Sequence, residues 1–550
     1  MKLIKRLSIF LLTFLLIFNS VNIVFAEKEN KEIAWDEEVI YMILTDRFYD
    51  GDESNNNPQN IDGSYDKDHL EAYHGGDFRG INEKIDYLKE LGITTLWITP
   101  IVKNIDANMM EKDAGKQYGY HGYWAEDFTK LDPHLGDEED LKELIDLLHE
   151  NNIKLMVDVV LNHSGYGTKN QGPFAGMHRI EGEAGDIKSE LAGLPDFKTE
   201  DKEVRDKIIE WQVDWLKKLK TDKGNSIDYF RVDTVKHVDH QTWLDFKSAI
   251  LAEDKDFKMI GENFGASIFN HGGYLGPEML DSLLDFEFKD IAKNYVNGRI
   301  ENSEKALIKR NQAINEDKQM GQFLSSHDEH GFLKMKLGGD VDKFLPAVSL
   351  QLTAKGQPVI YYGEEIGMSG QKDDFSKGIY SENRADFEWD KVKNNPILDH
   401  YKKLIAIRNA YADVFAKGDR KTIFADKTAS VFSRSYNGKE IYVALNTSDQ
   451  DQEITFKIDN KDLNLKDVYG GNKINKKDDE ITVKIPANKK GGTLIIAEDD
   501  SIAESLNIKT NSFFDQYKTY ILISLIIISF LLGLNRGRTK KIRWFLIDVS

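Results

Sequence analysis

Short β-rich runs ending in polar residues alternate with stretches of helical hydrophobic spacing through the first three quarters of the chain. The runs lie at 39–45, 94–99, 154–160, 227–232, 258–261, 282–286, 322–325 and 358–362. Their alternation with helices predicts a parallel α/β fold, and eight strands is the number that closes a (β/α)8 TIM barrel. Helices are predicted over 81–91, 137–151, 202–220, 242–252 and 304–314. At Leu141, Leu144, Ile145, Leu147 and Leu148 the apolar positions recur at helical spacing, giving one face to pack on a sheet. The link after the third strand is too long for a plain turn: 163–198 is rich in glycine and reads as an inserted subdomain after strand 3. Beyond about residue 412 the period changes to alternating short strands at 430–435, 441–445, 453–458, 481–485 and 493–497. These predict a C-terminal antiparallel β-sandwich domain over 413–498.

Two apolar runs stand outside this pattern. Lys2, Lys5 and Arg6 precede an apolar stretch over 7–18, and Val24-Phe25-Ala26 has the small-residue spacing of a cleavage site, so 1–26 is expected to be a signal peptide. The segment 519–535 lies between Lys518 and Arg536 and is expected to be a single C-terminal transmembrane helix. Arg536, Arg538, Lys540, Lys541 and Arg543 follow it, and a basic tail over 536–550 stays cytoplasmic by the positive-inside rule. The resulting order is signal peptide, barrel over 27–412, β domain, linker over 499–518, anchor and tail. It predicts a cell-surface protein held in the plasma membrane with its barrel outside.

Composition narrows the chemistry. The 550 residues carry 93 Asp and Glu against 73 Lys and Arg, a formal charge of −20, which argues against nucleic acid as a partner. The absence of cysteine excludes disulfides, thiolate metal sites and thiol nucleophiles, leaving oxygen ligands or His for any metal.

The polar clusters sit at strand ends, where barrel active sites form. Strand three delivers Asp158, Asn162 and His163; strand four delivers Arg231, Asp233, Lys236 and His237; strand five delivers Glu262; strand seven delivers His327 and Asp328. An Asp and a Glu on adjacent strand ends can form the carboxylate pair of retaining glycoside hydrolysis, which requires a separation of ~5 Å. Arg231 lies two residues before Asp233 on one strand face, so its charge can keep Asp233 ionised as a nucleophile. Glu262 has no cation beside it in sequence, and burial near other carboxylates would raise its pKa toward that of an acid/base catalyst.

Four segments, Asp158-Val-Val-Leu-Asn-His163, Phe230-Arg-Val-Asp-Thr-Val-Lys-His237, Gly261-Glu-Asn263 and Phe323-Leu-Ser-Ser-His-Asp328, resemble in order the four signature regions of the α-amylase family of glycoside hydrolases. Leu194-Pro-Asp-Phe197 resembles its fifth region, and Gly356-Gln-Pro-Val-Ile-Tyr-Tyr-Gly-Glu-Glu365 its eighth-strand segment. Thr45-Asp-Arg-Phe48 and Gly75-Gly-Asp-Phe78 resemble the first-strand region of secreted α-amylases and cyclodextrin glucanotransferases. The resemblance implies Asp233 as nucleophile, Glu262 as general acid/base and Asp328 as transition-state stabiliser. It implies Tyr123, His163, Arg231, Lys236, His237, His327 and Arg384 as substrate-binding residues, with Tyr123 stacking on a sugar ring. Ser326 departs from the Asn that many members carry before the His-Asp pair.

The resemblance also implies calcium. Asn162, Asp196 and the carbonyl of His237 are similar to the family's site between barrel and insertion. Asp50, Asp52, Asn56, Asn57, Gly75 and Asp77 are similar to the first-loop site of the glucanotransferases, although Asn, Asp and Gly also favour turns without any metal. The expected activity is endo-hydrolysis of α-1,4 bonds in starch-like glucans and maltodextrins. The alternatives are a transglycosylase of the cyclodextrin glucanotransferase or maltogenic type, and a non-catalytic glucan-binding surface protein.

Overall fold

The computed structural model describes residues 33–107, 116–458, 464–471 and 474–498. The signal peptide, linker, membrane anchor and cytoplasmic tail expected from the sequence all lie outside the described residues. Among the described residues no helix is long and apolar enough to cross a membrane. Residues 33–35 belong to a separate N-terminal unit, and the barrel and the domain after it belong to the unit that begins at Asp36.

Eight parallel strands close a barrel: β1 (Ile40–Ile43), β2 (Thr95–Ile98), β3 (Lys154–Val159), β4 (Tyr229–Val232), β5 (Lys258–Gly261), β6 (Ser282–Asp285), β7 (Gln319–Gln322) and β8 (Gln357–Tyr361). Each pairs with its sequence neighbours, and β1 pairs with β8 through Ile40↔Val359 and Tyr41↔Ile360. Continuous burial along the strands explains why they read as unbroken apolar runs rather than alternating ones.

Strand β7 lies three residues before its expected place. Its own residues include Gln319 and Gln322, both buried, and Gln322 bonds Gln351 and Arg310 through its amide. The apolar Phe323 and Leu324 that suggested a strand belong to the segment beyond its end. The helix expected over 81–91 is two, Phe78–Glu83 and Ile85–Leu91, broken where Lys84 leaves helical geometry at φ −104, ψ 11. Helices Phe288–Val296, Val341–Thr353 and Pro396–Ala410 complete the outer ring without having been read from the sequence.

Acidic caps fix where the outer helices begin. Asp137 accepts from the amides of Glu139 and Asp140 while Asp140 answers its backbone N–H, a capping box that starts Glu138–Glu150. Asp201 and Asp239 cap Lys202–Lys218 and His240–Glu253 more simply, by accepting from Glu203 N and Thr242 N.

Between β3 and Lys202–Lys218 the insertion folds back on the barrel rim. Phe197 N donates to Asn162 O at 2.9 Å, and Phe174, Phe197 and Trp211 pack edge to face with centroids 5.3 to 5.9 Å apart. After the barrel, a five-stranded and a three-stranded antiparallel sheet enclose a shared core of Val431, Tyr442, Phe456, Ile481, Val483 and Ile496. Buried arginines bind this sandwich to the barrel. Arg434 donates to the carbonyls of Thr353, Phe415 and Gly418, and Arg420 pairs with Glu304 at 2.7 Å.

Candidate functional site

One guanidinium organises the C-terminal mouth of the barrel. Arg231, fully buried on β4, donates through Nη1 to both oxygens of Asp158 at 3.0 and 2.9 Å and to Asp233 Oδ1 at 2.8 Å. Its Nη2 lies 3.2 Å from Glu262 Oε2. Strand order explains the meeting: Asp158 ends β3, Asp233 follows β4, Glu262 follows β5, and the register sets Asp158 beside Arg231 and Val232 beside Gly261. Sequence reasoning gave Arg231 to Asp233 and left Glu262 without a cation. The structure corrects this, because adjacent strand ends converge on the same guanidinium from both sides.

The surroundings of Glu262 and Asp328 push their carboxyl groups in opposite directions. An apolar wall of Met42, Leu284, Phe286 and Phe323 borders Glu262. Burial drives its carboxyl well above the ordinary value, and Asp233 and Asp328 add to the rise while Arg231 opposes it. Asp328 goes the other way: burial resists its ionisation, but His327, Arg384 and Arg231 outweigh it and hold the carboxyl well below the usual range. His327 Nε2 lies 2.9 Å from Asp328 Oδ2, and Arg384 Nη2 donates to Oδ1 at 2.9 Å. Burial lowers the pKa of both His163 and His327 from the ordinary imidazole value.

Strain accompanies the polarity. Thr234, between Asp233 and the turn Val235–His237, sits in the left-handed region at φ 51, ψ 40, which a β-branched residue rarely adopts. That conformation lets Thr234 N donate to Glu262 Oε2 at 3.2 Å, so the backbone after Asp233 is tied to the second carboxyl.

Of the other expected substrate residues, Tyr123 stacks on His327 with parallel rings 5.4 Å apart, and its hydroxyl donates to Asp158 Oδ2 at 2.7 Å. His163 reaches the Tyr123 carbonyl through Nε2 at 3.2 Å. Arg384 joins the cluster through Asp328 and the His327 carbonyl. Lys236 and His237 lie to one side. Lys236 lies 5.9 Å over the Phe264 ring, and His237 Nδ1 lies 2.8 Å from Asp186 O of the insertion. Beside Lys236 opens a cleft of about 740 Å³ lined by Asp186, Lys236, Asn263, Phe264, Asn270 and Tyr274. Trp97, which sequence reasoning missed, donates from Nε1 to Asp158 Oδ2 at 3.3 Å and supports Arg231, 5.1 Å over its ring. Its only signal was an apolar strand, which a polar role does not mark.

Two oxygen clusters bear on the cation expectation. Among the described residues no group of three His, Asp or Glu side chains is placed to hold a metal, so a cation here would lean on amide and carbonyl oxygens. At the insertion, Asn162 Oδ1 faces only acceptors; turned over, its amide nitrogen would donate to Asp196 Oδ1 at 3.3 Å and to His237 O at 2.9 Å. Burial raises the Asp196 carboxyl to about 7 despite Arg179 on its other oxygen. This oxygen-only convergence fits a hard cation.

At the first loop, Asp50 Oδ1, Asn55 Oδ1 and Asn56 Oδ1 are buried without hydrogen-bond partners, a donor set that also fits a cation. Gly75, at φ 91, lets the chain pass there, since a Cβ would stand 2.3 Å from Asn56 Oδ1. Asn57 does not join: its side chain closes a turn onto both backbone groups of Ile61, and Asn55 takes its place. Asp77 spends its oxygens on the amides of Gly51, Asp52 and Gly80 as a helix cap, and Asp52 pairs with Arg79 at 2.6 Å.

Residues 42–173 and 186–395 match the family described as alpha amylase, catalytic domain, and 418–490 match the alpha-amylase C-terminal domain. A cyclomaltodextrinase of Thermoanaerobacter pseudethanolicus is 29% identical over 446 residues, covering 76% of this chain and 71% of that protein. An Anoxybacillus α-amylase structure superposes with a TM-score of 0.70 at 26% identity, covering 85% of this chain and 99% of the other. A cyclomaltodextrin glucanotransferase with a three-domain distribution superposes with a TM-score of 0.72 at 25% identity, covering 83% and 98%.

Proposed function

The chain belongs to the α-amylase family of glycoside hydrolases, and from that premise we propose that it hydrolyses internal α-1,4 bonds of starch-like glucans and maltodextrins with retention of configuration. The observation that supports this most is the sharing of Arg231 between Asp233 and Glu262, which holds two carboxyl groups around one reacting centre, Glu262 with its pKa raised by burial. Arg231 grips Asp233 Oδ1, and Oδ2 attacks the anomeric carbon while Glu262 gives its proton to the glycosidic oxygen. The C–O bond breaks and a glycosyl ester forms on Asp233. Glu262, now ionised, takes a proton from water as the water oxygen attacks the same carbon and frees Asp233. Asp328, kept ionised by Arg384 and His327, hydrogen-bonds the ring hydroxyls and stabilises the developing oxocarbenium charge.

Asp233→Asn and Glu262→Gln are each expected to lower kcat on amylose by roughly a thousandfold or more. Activity of either within tenfold of wild type would remove these roles. Fresh product should carry the α configuration by NMR; an initial β product would mean inversion.

A second reading is transglycosylation, in which a sugar hydroxyl replaces the water. It is favoured by the likeness to a cyclomaltodextrin glucanotransferase and by the aromatic cleft beside Glu262. Product analysis on amylose and on cyclodextrins separates the two. A non-catalytic glucan-binding role is opposed by the presence of Asp233, Glu262 and Asp328 together.

Calcium belongs to the same proposal, at Asn162, Asp196 and the His237 carbonyl and at Asp50, Asn55 and Asn56. When bound, it neutralises converging oxygens and ties the insertion and first loop to the barrel. Ions held only by the folded state stabilise it by about 2.7 kcal/mol at roughly a hundredfold excess over Kd, so chelation should lower the melting temperature. An unchanged melt, with metal loss verified by elemental analysis, would remove calcium. We place the enzyme at the outer membrane face, anchored by 519–535. Deleting all residues after Glu498 should release active enzyme into the medium, and uncut full-length protein free in the culture fluid would refute the anchor.

A further inference from the structure

One buried cation near the barrel mouth has no part in the reaction scheme. Lys289, the second residue of helix Phe288–Val296 after β6, is buried at 7% exposure. A buried ammonium is costly unless something answers it, so its partners fix where it sits. It pairs with Oε2 of Glu329, the residue directly after Asp328. Its Nζ also lies 4.8 Å over the Phe286 ring and 5.0 Å over the Phe323 ring.

Both contacts lead to the reacting groups. Phe286 and Phe323 meet edge to face with centroids 5.1 Å apart, and with Met42, Leu284 and Glu262 they line a space of about 10 Å³, room for no more than one water. That is the dry side of Glu262. Glu329 is held twice: Lys289 takes its side chain, while Asn383 Nδ2 donates to its carbonyl at 3.0 Å and to the His327 carbonyl at 2.9 Å. Asp328 lies between those two carbonyls, so the segment that carries it is clamped by the helix after β6 on one side and by the turn Glu382–Arg384 on the other.

Resting on the hydrolase reading, we infer that Lys289 is a positioning residue for the reaction: one ammonium joins the aromatic wall beside Glu262 to the segment that carries Asp328, and so sets the acid/base group and the transition-state stabiliser in place together. Lys289→Met keeps the length of the stem but loses both the pair and the charge over the rings. The Asp328 segment then loses its inner tether, and the wall beside Glu262 opens to water.

The pH profiles of kcat and kcat/KM on amylose for wild type, Lys289→Met, Lys289→Arg and Glu329→Gln test this. Misplacing the reacting groups predicts that Lys289→Met lowers kcat roughly tenfold while KM stays within about twofold. Water at the wall moves the basic limb, set by protonated Glu262, to lower pH by about half a unit or more. Arg231, Asp233 and Asp328, the charged groups that act on Glu262, are kept in every variant. Lys289→Arg keeps the charge and the stacking and should retain both kcat and the limb. The Glu329 side chain is partly exposed, so Glu329→Gln should fold readily and lower kcat roughly threefold or more, and the double variant should be no worse than Lys289→Met alone. If Lys289→Met does not fold, Glu329→Gln decides by itself. Wild-type kcat and an unmoved limb in the folded variants overturn the inference, and a lower melting temperature with unchanged kinetics does the same, because the pair would then brace the fold only. Losses that multiply in the double variant also overturn it. Each of these results leaves the hydrolase reading intact, whereas a wild type inactive on every α-glucan defeats that reading itself.

Discussion

Arginine is buried at both ends of this barrel and does opposite things there. At the C-terminal mouth Arg231 faces Asp158, Asp233 and Glu262, and their charges, outweighing burial, raise its pKa well above the ordinary value. At the junction with the sandwich, Arg408 donates to the carbonyls of Leu352, Ala354 and Gly356, and Arg434 to four more. There burial, reinforced by neighbouring arginines, pushes both pKa values down. The same side chain gathers carboxyl groups in one region and satisfies carbonyls at and just beyond helix ends in the other. Carboxylates supply full charges that can be spent on chemistry; carbonyls supply only dipoles, enough to hold segments in place.

The largest expected effect separates these roles by activity. Arg231→Lys keeps the charge but cannot fork onto three carboxyl groups, and kcat/KM on amylose should fall by roughly a hundredfold to a thousandfold. If Arg231→Lys instead retains most activity, the mouth needs only a positive charge and the contrast collapses.

The mirror variant is read by stability. Arg408→Met leaves three buried carbonyls without donors and should cost about 3 kcal/mol by urea unfolding, with kcat preserved in the folded enzyme. Loss of kcat without loss of stability would mean that the junction communicates with the mouth.

A smaller effect sharpens the cost of the mouth. Glu262 is held in an environment that disfavours its charge, so Glu262→Gln should melt at a higher temperature than wild type at neutral pH while losing activity. For the same reason wild-type kcat/KM should fall as pH rises through the raised Glu262 value, because the acid must be protonated to serve the leaving group. A lower melt for Glu262→Gln would show the carboxylate to be a net stabiliser.

The smallest effect concerns buried carboxyl groups that no guanidinium neutralises. Burial raises Glu365 to about 7, and it accepts from Tyr41 at 2.7 Å and Tyr87 at 2.5 Å. A group raised in the folded state contributes stability below its unfolded pKa of about 4.3, and that contribution is lost as pH rises through the folded value. Between about pH 4 and 7, then, Glu365→Gln should show a shallower decline of melting temperature than wild type. Identical slopes would place the pH dependence elsewhere.

Periodicity and strand-end chemistry carried much of this protein in one dimension. Unbroken apolar runs followed by Asp158, Asp233 and Glu262 mark the barrel strands and their reactive ends, because a parallel sheet buried on both faces leaves polar groups only where its strands stop. Where burial was satisfied by amides the signal failed, as at Gln319 and Gln322, and β7 was read three residues late. Only tertiary structure decided which carboxyl groups share Arg231, since contacts between neighbouring strand ends depend on register across tens of residues. Only it distinguished Asn55 from Asn57 at the first loop, a matter of which way one turn points its amides. And only it separated Phe264, exposed at the cleft, from the buried phenylalanines, because hydrophobic identity is written in the sequence but exposure is a property of the packed chain.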